Sequence, residues 1–257
     1  MGRLISWYSH GVASAVATKL AIASGEPVTV VNCEVIEEHP DNKRFQKDCE
    51  EWFGQEIIVL GNDKYKRSIY EVFEKTRYLA GHGGARCTLE LKKNVRKKFE
   101  QPNDRQIFGY TAEEQGRVDR FIDANNEVEL QSPLVDRGLT KQDCLAMVEN
   151  AGIELPAMYK LGYKNNNCRG CPKAQSPAYW KKIQIDFPGY FEKMSEQERR
   201  LNVKICKATI DGAADTRMFL TDLPEWIEPK DDTIDIQCGI FCHMAEQEYA
   251  PKATQTK

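Results

Sequence analysis

Three groups of residues have types and spacings that fit chemistry. Cys168-Arg169-Gly170-Cys171 is a C-x-x-C, and its two-residue gap lets both thiolates reach one metal ion or one cluster. Tyr8-Ser9-His10-Gly11-Val12-Ala13-Ser14 links a short apolar run to a helical pattern. Its glycine and hydroxyls therefore stand at a helix N-terminus, where backbone N–H groups and the helix dipole favour an anion. Lys92-Lys93-Asn94-Val95-Arg96-Lys97-Lys98 carries five cations and no acid. Such a patch suits a phosphate-bearing ligand even in a chain of net charge −3. For Lys97 and Lys98 a solvated helix face is an equal reading, whereas Lys92 follows Cys87 by five residues and is the stronger functional candidate.

The loop after the first apolar run lacks the lysine of G-x-x-x-x-G-K-[ST] and lacks G-x-G-x-x-G, which disfavours both of those nucleotide folds. A redox C-x-x-C normally opens a helix after a strand. Here the pair follows a polar loop, Gly162-Tyr163-Lys164-Asn165-Asn166-Asn167, so metal or cluster ligation ranks first.

Residues 9–14 resemble the Ser-Gly-Gly-x-Asp-Ser pyrophosphate loop of N-type ATP pyrophosphatases and PAPS reductases. Ser9, Gly11 and Ser14 match, while His10 replaces a glycine and Ala13 replaces the aspartate. Arg86-Cys87-Thr88-Leu89-Glu90-Leu91-Lys92-Lys93 is similar to the Cys-Cys-x-x-Arg-Lys segment of assimilatory APS reductases, with Thr88 where the second cysteine would stand. That resemblance implies that Cys87, Cys168 and Cys171 hold a [4Fe–4S] cluster, with Lys92 in the basic position. Related tRNA-thiolating enzymes use three cysteines and an open iron. A fourth ligand would come from Cys238 or Cys242. Gln237-Cys238-Gly239-Ile240-Phe241 also resembles the C-terminal Glu-Cys-Gly-Ile/Leu-His of sulfonucleotide reductases, which implies Cys238 as a nucleophile toward sulfur. A closed zinc site from Cys168, Cys171, Cys238 and Cys242 is the competing assignment. Cys33, Cys49, Cys144 and Cys206 are assigned to packing.

Gly109-Tyr110-Thr111-Ala112-Glu113-Glu114-Gln115-Gly116-Arg117-Val118-Asp119-Arg120 resembles the superfamily's Gly-x-x-x-x-Glu-x-x-x-Arg segment near the bound nucleotide. It implies phosphate or sulfate contacts for Arg117, with Arg120 close by. A Glu113–Arg117 pair along the helix is the plainer reading. Asn32 ends the second strand, where nucleotide contacts are expected. His39 and Asp41 follow it and are placed to touch substrate or metal, or Asp41 caps the next helix.

These groups need a scaffold. Leu4–Tyr8, Val28–Cys33, 57–60 and 106–110 read as strands. Residues 11–24, 45–53, 68–79, 88–100 and 112–124 read as helices between them. Alternating elements imply right-handed crossovers and a mainly parallel sheet with helices on both faces, and place ligands at the carboxyl ends of the strands. The resemblance sharpens this to an adenine nucleotide alpha-hydrolase-like fold over 1–135. Residues 136–257 form a cysteine-bearing, mostly helical C-terminal region. In it Thr140-x-x-Asp143 starts a helix, 176–206 reads as helix, 222–249 carries eight acids against one lysine, and the tail is polar.

The 257 residues, 41% hydrophobic and 29% charged, bury a core without disulfides and exclude a disordered chain or a generally basic nucleic-acid binder. No apolar run suits a membrane span or a signal peptide, so a cytoplasmic, reducing location is expected. The ordered matches resemble the PAPS reductase-like branch of the pyrophosphate-loop superfamily, and also the sulfur-modification ATPases of DNA phosphorothioation systems and phage-encoded reductase-like proteins. The resemblance implies an enzyme that uses ATP, with magnesium as a candidate ion, to adenylate a substrate oxygen, on nucleic acid for instance, for sulfur transfer. Reduction of adenylyl sulfate or its 3′-phosphate is the second implication, and a non-catalytic nucleotide-binding module is the third. Expected partners are an adenine nucleotide, a sulfur donor or thiol reductant, and a nucleic acid or partner protein, with no membrane.

Overall fold

The computed structural model describes the chain apart from Met1, residues 82–83, 211–212, 233–235, Cys238 and 251–257. The elements run β1 (Leu4–Tyr8), α1 (Val12–Ala23), β2 (Val28–Cys33), α2 (Asn42–Phe53), β3 (Ile58–Leu60) and α3 (Ile69–Thr76). A two-residue pair follows, β4 (Ala80–Gly81) and β5 (Gly84–Ala85), then α4 (Arg86–Thr88), α5 (Asn94–Phe99), β6 (Arg105–Ile107), α6 (Gln115–Ala124) and β7 (Glu129–Gln131). The remainder is α7 (Pro133–Asp136), α8 (Lys141–Asn150), α9 (Ala157–Lys160), α10 (Pro177–Asp186), α11 (Pro188–Leu201), β8 (Cys206–Ile210), β9 (Ala213–Met218) and α12 (Ile240–Tyr249).

Five strands form one parallel sheet in the order β3-β2-β1-β6-β7. The alternation in β1 explains its two faces. Leu4 and Tyr8 pack with α1, α2 and α8, while Ile5 and Trp7 pack with Val31, Cys33 and Val95 on the other side. Ser6, on the α1 side, is paired by a 2.8 Å hydroxyl contact with Thr18. A third cluster joins α3 and Cys87 to α10, α11 and Cys206. The first core also takes Leu134, Leu139, Cys144 and Cys242, so it is continuous across residues 135 and 136.

The chain builds outward from β1 in both directions. The crossovers that leave β1 for β2 and β6 for β7 therefore diverge at the carboxyl ends of β1 and β6, and the crevice between them is the ligand position of open α/β sheets. There Gly109 lies directly under the loop that starts α1. A Cβ built on it would stand 2.5 Å from Ser14 N and 2.7 Å from Ala13 C.

Several elements differ from the sequence reading. The helix expected over 176–206 breaks into α10 and α11 at Phe187-Pro188, because proline disfavours helix in the residue before it and lacks the N–H to continue one. Its end is not helical, and Cys206 begins a two-stranded antiparallel hairpin with β9. The helix expected over 88–100 starts at Arg86 and passes through a π-helical turn at Leu89–Lys93 before α5. The short strand β7 has no clear hydrophobic pattern in sequence. The capping box at the start of α8 forms as read, with Thr140 N donating to Asp143 Oδ2 at 2.9 Å. Among the described residues no helix is long and apolar enough to cross a membrane.

Replacing Gly109 by alanine drives a methyl into the backbone of the α1 loop. We expect Gly109→Ala to lower stability by about 1–3 kcal/mol in urea denaturation, an effect that an exposed control such as Gly189→Ala should lack.

Candidate functional site

A cleft of about 670 Å³ opens at the carboxyl ends of β1, β2 and β6. Its wall includes Ser9, Gly11, Ala13 and Ser14 from the α1 loop, Asn32 from β2 and Gly109 after β6. Among the described residues, seven lysine and arginine side chains line it against two glutamates, Glu113 and Glu114. Its size and charge suit a nucleotide-sized anion.

The α1 loop is built for this position. Gly11 takes the N-cap place with extended backbone, and Ser14 Oγ accepts from Ser9 N at 3.0 Å and donates to Gly11 O at 2.8 Å. His10 adopts φ 58°, a left-handed conformation that costs a non-glycine residue about 1 kcal/mol. Its ring turns away from the cleft. Nδ1 lies 2.9 Å from Glu38 Oε2 and Nε2 lies 3.1 Å from Gln46 Oε1. His10 therefore anchors the loop from behind and leaves its front open. Of the residues expected to bind nucleotide, His10 turns its ring to Glu38, and Val12 buries its side chain in the first core and presents only its backbone at the start of α1. Arg120 lies exposed on α6 outside the cleft wall.

The opposite wall was not visible in the sequence. Tyr159 is buried, and its hydroxyl accepts from the backbone N–H groups of Val12 and Asn166, while desolvation pushes its pKa up to about 12. The phenol keeps its own proton to donate. Asn166 Nδ2 donates to His10 O at 2.6 Å and to Asn42 Oδ1 at 2.8 Å. The Oδ1 atoms of Asn32 and Asn166 are buried and accept no hydrogen bond among the described residues, so both amides keep a lone pair for a ligand's hydroxyl or amino group. Lys141 Nζ sits 5.1 Å from the Tyr159 ring centre, donates to Asn165 Oδ1 at 2.8 Å and also reaches Lys164 O. Burial, reinforced by the Lys164 charge, pulls its pKa down to about 8.

Arg117 lines the cleft, paired with Glu114 one turn away and set 5.1 Å from the Tyr110 ring centre. The partner expected for it along the helix, Glu113, instead accepts from Lys141 N at 3.3 Å. Asp41 is neither a side-chain cap nor a cleft residue. It holds Arg44 at 2.7 Å and accepts from Ala157 N at 2.9 Å, while His39 Nδ1 accepts from Asp41 N.

Glu38 joins this cleft to the thiols. It is buried, and besides His10 it binds Lys92 Nζ at 2.9 Å and Asn42 Nδ2 at 3.2 Å. Burial alone would raise its pKa, but Lys92 and His10 outweigh that and hold it at about 2. Burial likewise lowers the Lys92 pKa, and the charges of Glu38 and Cys168 override it upward. Lys92 lines the cleft as the sequence predicted.

Cys87, Cys168 and Cys171 come together beside Lys92. Burial raises Cys87 to about 11 and Cys168 well above its usual range; Cys171 pushes both up further, and Lys92 pulls both down. Arg169 between the paired cysteines clamps this loop to the end of β2, with its N–H on Glu37 O at 3.0 Å and Nη2 on Glu38 O at 3.1 Å. Gly170 there has φ 76°, and a Cβ would stand 3.3 Å from the Trp180 ring. Among the described residues no three His, Cys, Asp or Glu side chains close on one point as ligands of a single metal ion.

Cys242 does not belong to this group. It is fully buried in the first core and disulfide-bonded, so it offers no thiolate to a metal, which corrects its assignment as a ligand. Cys238 lies outside the described residues. Cys33, Cys49, Cys144 and Cys206 are buried free thiols.

No family model, no curated protein and no solved structure matches this chain.

Glu38→Gln leaves Lys92 and His10 facing a neutral amide. We expect a loss of about 2–3 kcal/mol, below the range for a fully buried pair because Lys92 keeps 37% of its side chain accessible. The carboxylate's contribution is complete above the unfolded pKa of about 4.3 and fades as pH falls toward its folded value of about 2. Acid unfolding followed by circular dichroism should therefore show a steeper loss over that window for the native protein than for the variant.

Proposed function

We propose that this chain is an adenine-nucleotide enzyme of sulfur chemistry. It takes ATP in the cleft above β1 and β6 and adenylates a substrate oxygen with release of pyrophosphate; sulfur from a donor then attacks the activated atom and displaces AMP with that oxygen. The observation that carries the reading is the adjacency of two features: a nucleotide-sized cationic cleft at the strand ends, and the Cys87, Cys168 and Cys171 thiols on the far side of Lys92. The finer fold assignment, an adenine nucleotide alpha-hydrolase-like domain with a cysteine-bearing helical region, belongs to the same proposal.

In this reading the Ser9–Ser14 loop and the start of α1 bind the pyrophosphate portion. Arg117 and Lys141 neutralise its charge from the opposite wall, and Tyr159 donates its proton to a phosphate oxygen. Asn32 and Asn166 accept from the nucleoside. Charge stabilisation by fixed cations in a partly dehydrated cleft is the main catalytic contribution.

Cys87, Cys168 and Cys171 are the residues that would hold an iron–sulfur cluster. An all-thiolate donor set is the kind that holds either an iron–sulfur cluster or a zinc ion. Bound there, a [4Fe–4S] group would supply a site for carrying sulfur.

One observation favours a second reading, in which adenylyl sulfate or its 3′-phosphate is reduced to sulfite. The cleft wall carries no carboxylate at Ala13, and its charge is overwhelmingly cationic. That suits an anion neutralised by side chains; Cys238, kept as a free thiol by an external thiol reductant, would then attack the sulfur and release AMP or its 3′-phosphate, and the reductant would release sulfite.

Anaerobically purified protein incubated with ATP should release pyrophosphate. Release of sulfite from adenylyl sulfate, lost in Cys238→Ser, would replace the first reading by the second, and turnover of neither would overturn both. Cys168→Ser should abolish bound iron and its visible absorbance while leaving nucleotide binding intact.

Nucleotide affinity should carry the Lys141 titration. With its pKa near 8, Lys141 is a cation below that pH and neutral above it. Calorimetric ATP affinity should fall as pH rises through about 8, and Lys141→Met should lower affinity about tenfold at pH 7 and remove that limb.

A further inference from the structure

A second cleft, of about 360 Å³, backs onto the first and shares Lys164, Asn165, Asn167 and Lys173 with its wall. Cys171 lines this second cleft and not the first. The Cys171 N–H is fixed by donation to Tyr179 Oη at 3.0 Å, which sets that side of the loop against α10.

The charge of this cleft is unbalanced. Lys182 is buried and already matched by Asp231 at 2.6 Å and Asp186 at 3.1 Å. Lys164, Lys173 and Lys230 then face one remaining acid, Asp232, whose Oδ2 accepts from the Lys164 backbone N–H at 2.9 Å. The pocket is at the small end of the usual ligand range of about 300–1,000 Å³. It therefore suits a small anion and not a second nucleotide.

The geometry points to this cleft as the binding site of a small inorganic sulfur anion, the second substrate or the product of the reaction. The inference rests on the nucleotide reading above and deepens it. A sulfur donor must arrive beside the thiols in one version of that chemistry, and sulfite must leave in the other. Both needs are met by a cationic pocket with Cys171 in its wall and the nucleotide cleft on the other side of Lys173 and Asn167. Access from this side lets a sulfur anion reach the thiols while a nucleotide fills the first cleft.

The test is calorimetric binding of thiosulfate to the anaerobically purified full chain, with the first cleft saturated by a non-hydrolysable ATP analogue. Two variants alter only the second cleft: Lys230→Glu reverses an exposed charge, and Ala178→Phe fills the pocket from α10. We expect each to weaken thiosulfate binding at least fivefold, with ATP-analogue affinity unchanged within twofold and folding verified by circular dichroism. Absence of thiosulfate binding, or equal affinity in Lys230→Glu, overturns the site. Equal displacement by inorganic phosphate overturns the assignment to sulfur and leaves a general anion pocket. If the ATP analogue fails to bind while both variants still weaken thiosulfate, the second site stands and the nucleotide reading falls.

Discussion

The Glu38 carboxylate is the constraint on which the rest of the site depends. It is a buried charge, and a buried charge must be matched in full. Its partners come from distant parts of the chain: His10 from the loop after β1, Asn42 from the start of α2, and Lys92 from the π-helical turn before α5. Its backbone oxygen also accepts from Arg169 between the paired cysteines. One ionised group thus fixes the spacing of the anion loop, the cation and the thiols. The neighbouring Glu37 extends the same logic outward, accepting from Ser68 Oγ at 2.5 Å and Ile69 N at 3.0 Å, which ties α3 to the end of β2.

This network also accounts for the left-handed backbone of His10. A histidine where glycine would be easiest is costly in backbone energy, and here the cost is offset by two hydrogen bonds to its ring. The result is a loop held from the inside by side chains and not by glycine freedom. Its outer surface stays lined by Ser9, Gly11, Ala13 and Ser14.

The sequence made legible what rests on local pattern. The β-branched runs gave three of the five sheet strands near their observed bounds, and Thr140-x-x-Asp143 gave the start of α8. The placement rule for strand ends pointed to the cleft mouth around Ser9 and Asn32, while Lys92 and Arg117 were singled out by motif and charge. What stayed hidden depends on contacts between residues far apart in the chain. Tyr159, Lys141 and Asn166 lie in polar segments with no motif, and only the packing of α8 and α9 against α1 brings them over the loop. Glu38 looked like an ordinary loop acid because nothing local marks it for burial. Cys242 shared a suggestive segment with Cys238, yet its spacing on α12 turns it into the first core. A signal for it was present, since Cys242 and Ala245 are three apart and face inward together.

The state of the three thiols limits what they can do. Burial pushes Cys87 up to about 11 and Cys168 well above its usual range, which favours the protonated form of both. A nucleophilic cysteine needs the opposite shift, because the thiolate is the reacting form. Lys92 pulls in that direction, but it is already committed to Glu38, and Glu38 itself raises Cys168. These cysteines are therefore poorly placed to attack a substrate as free side chains. Ligation reverses the balance, since a bound cation removes the proton and supplies the missing positive charge. The same carboxylate that fixes Lys92 at the cleft wall thus also works against a free thiolate at Cys168.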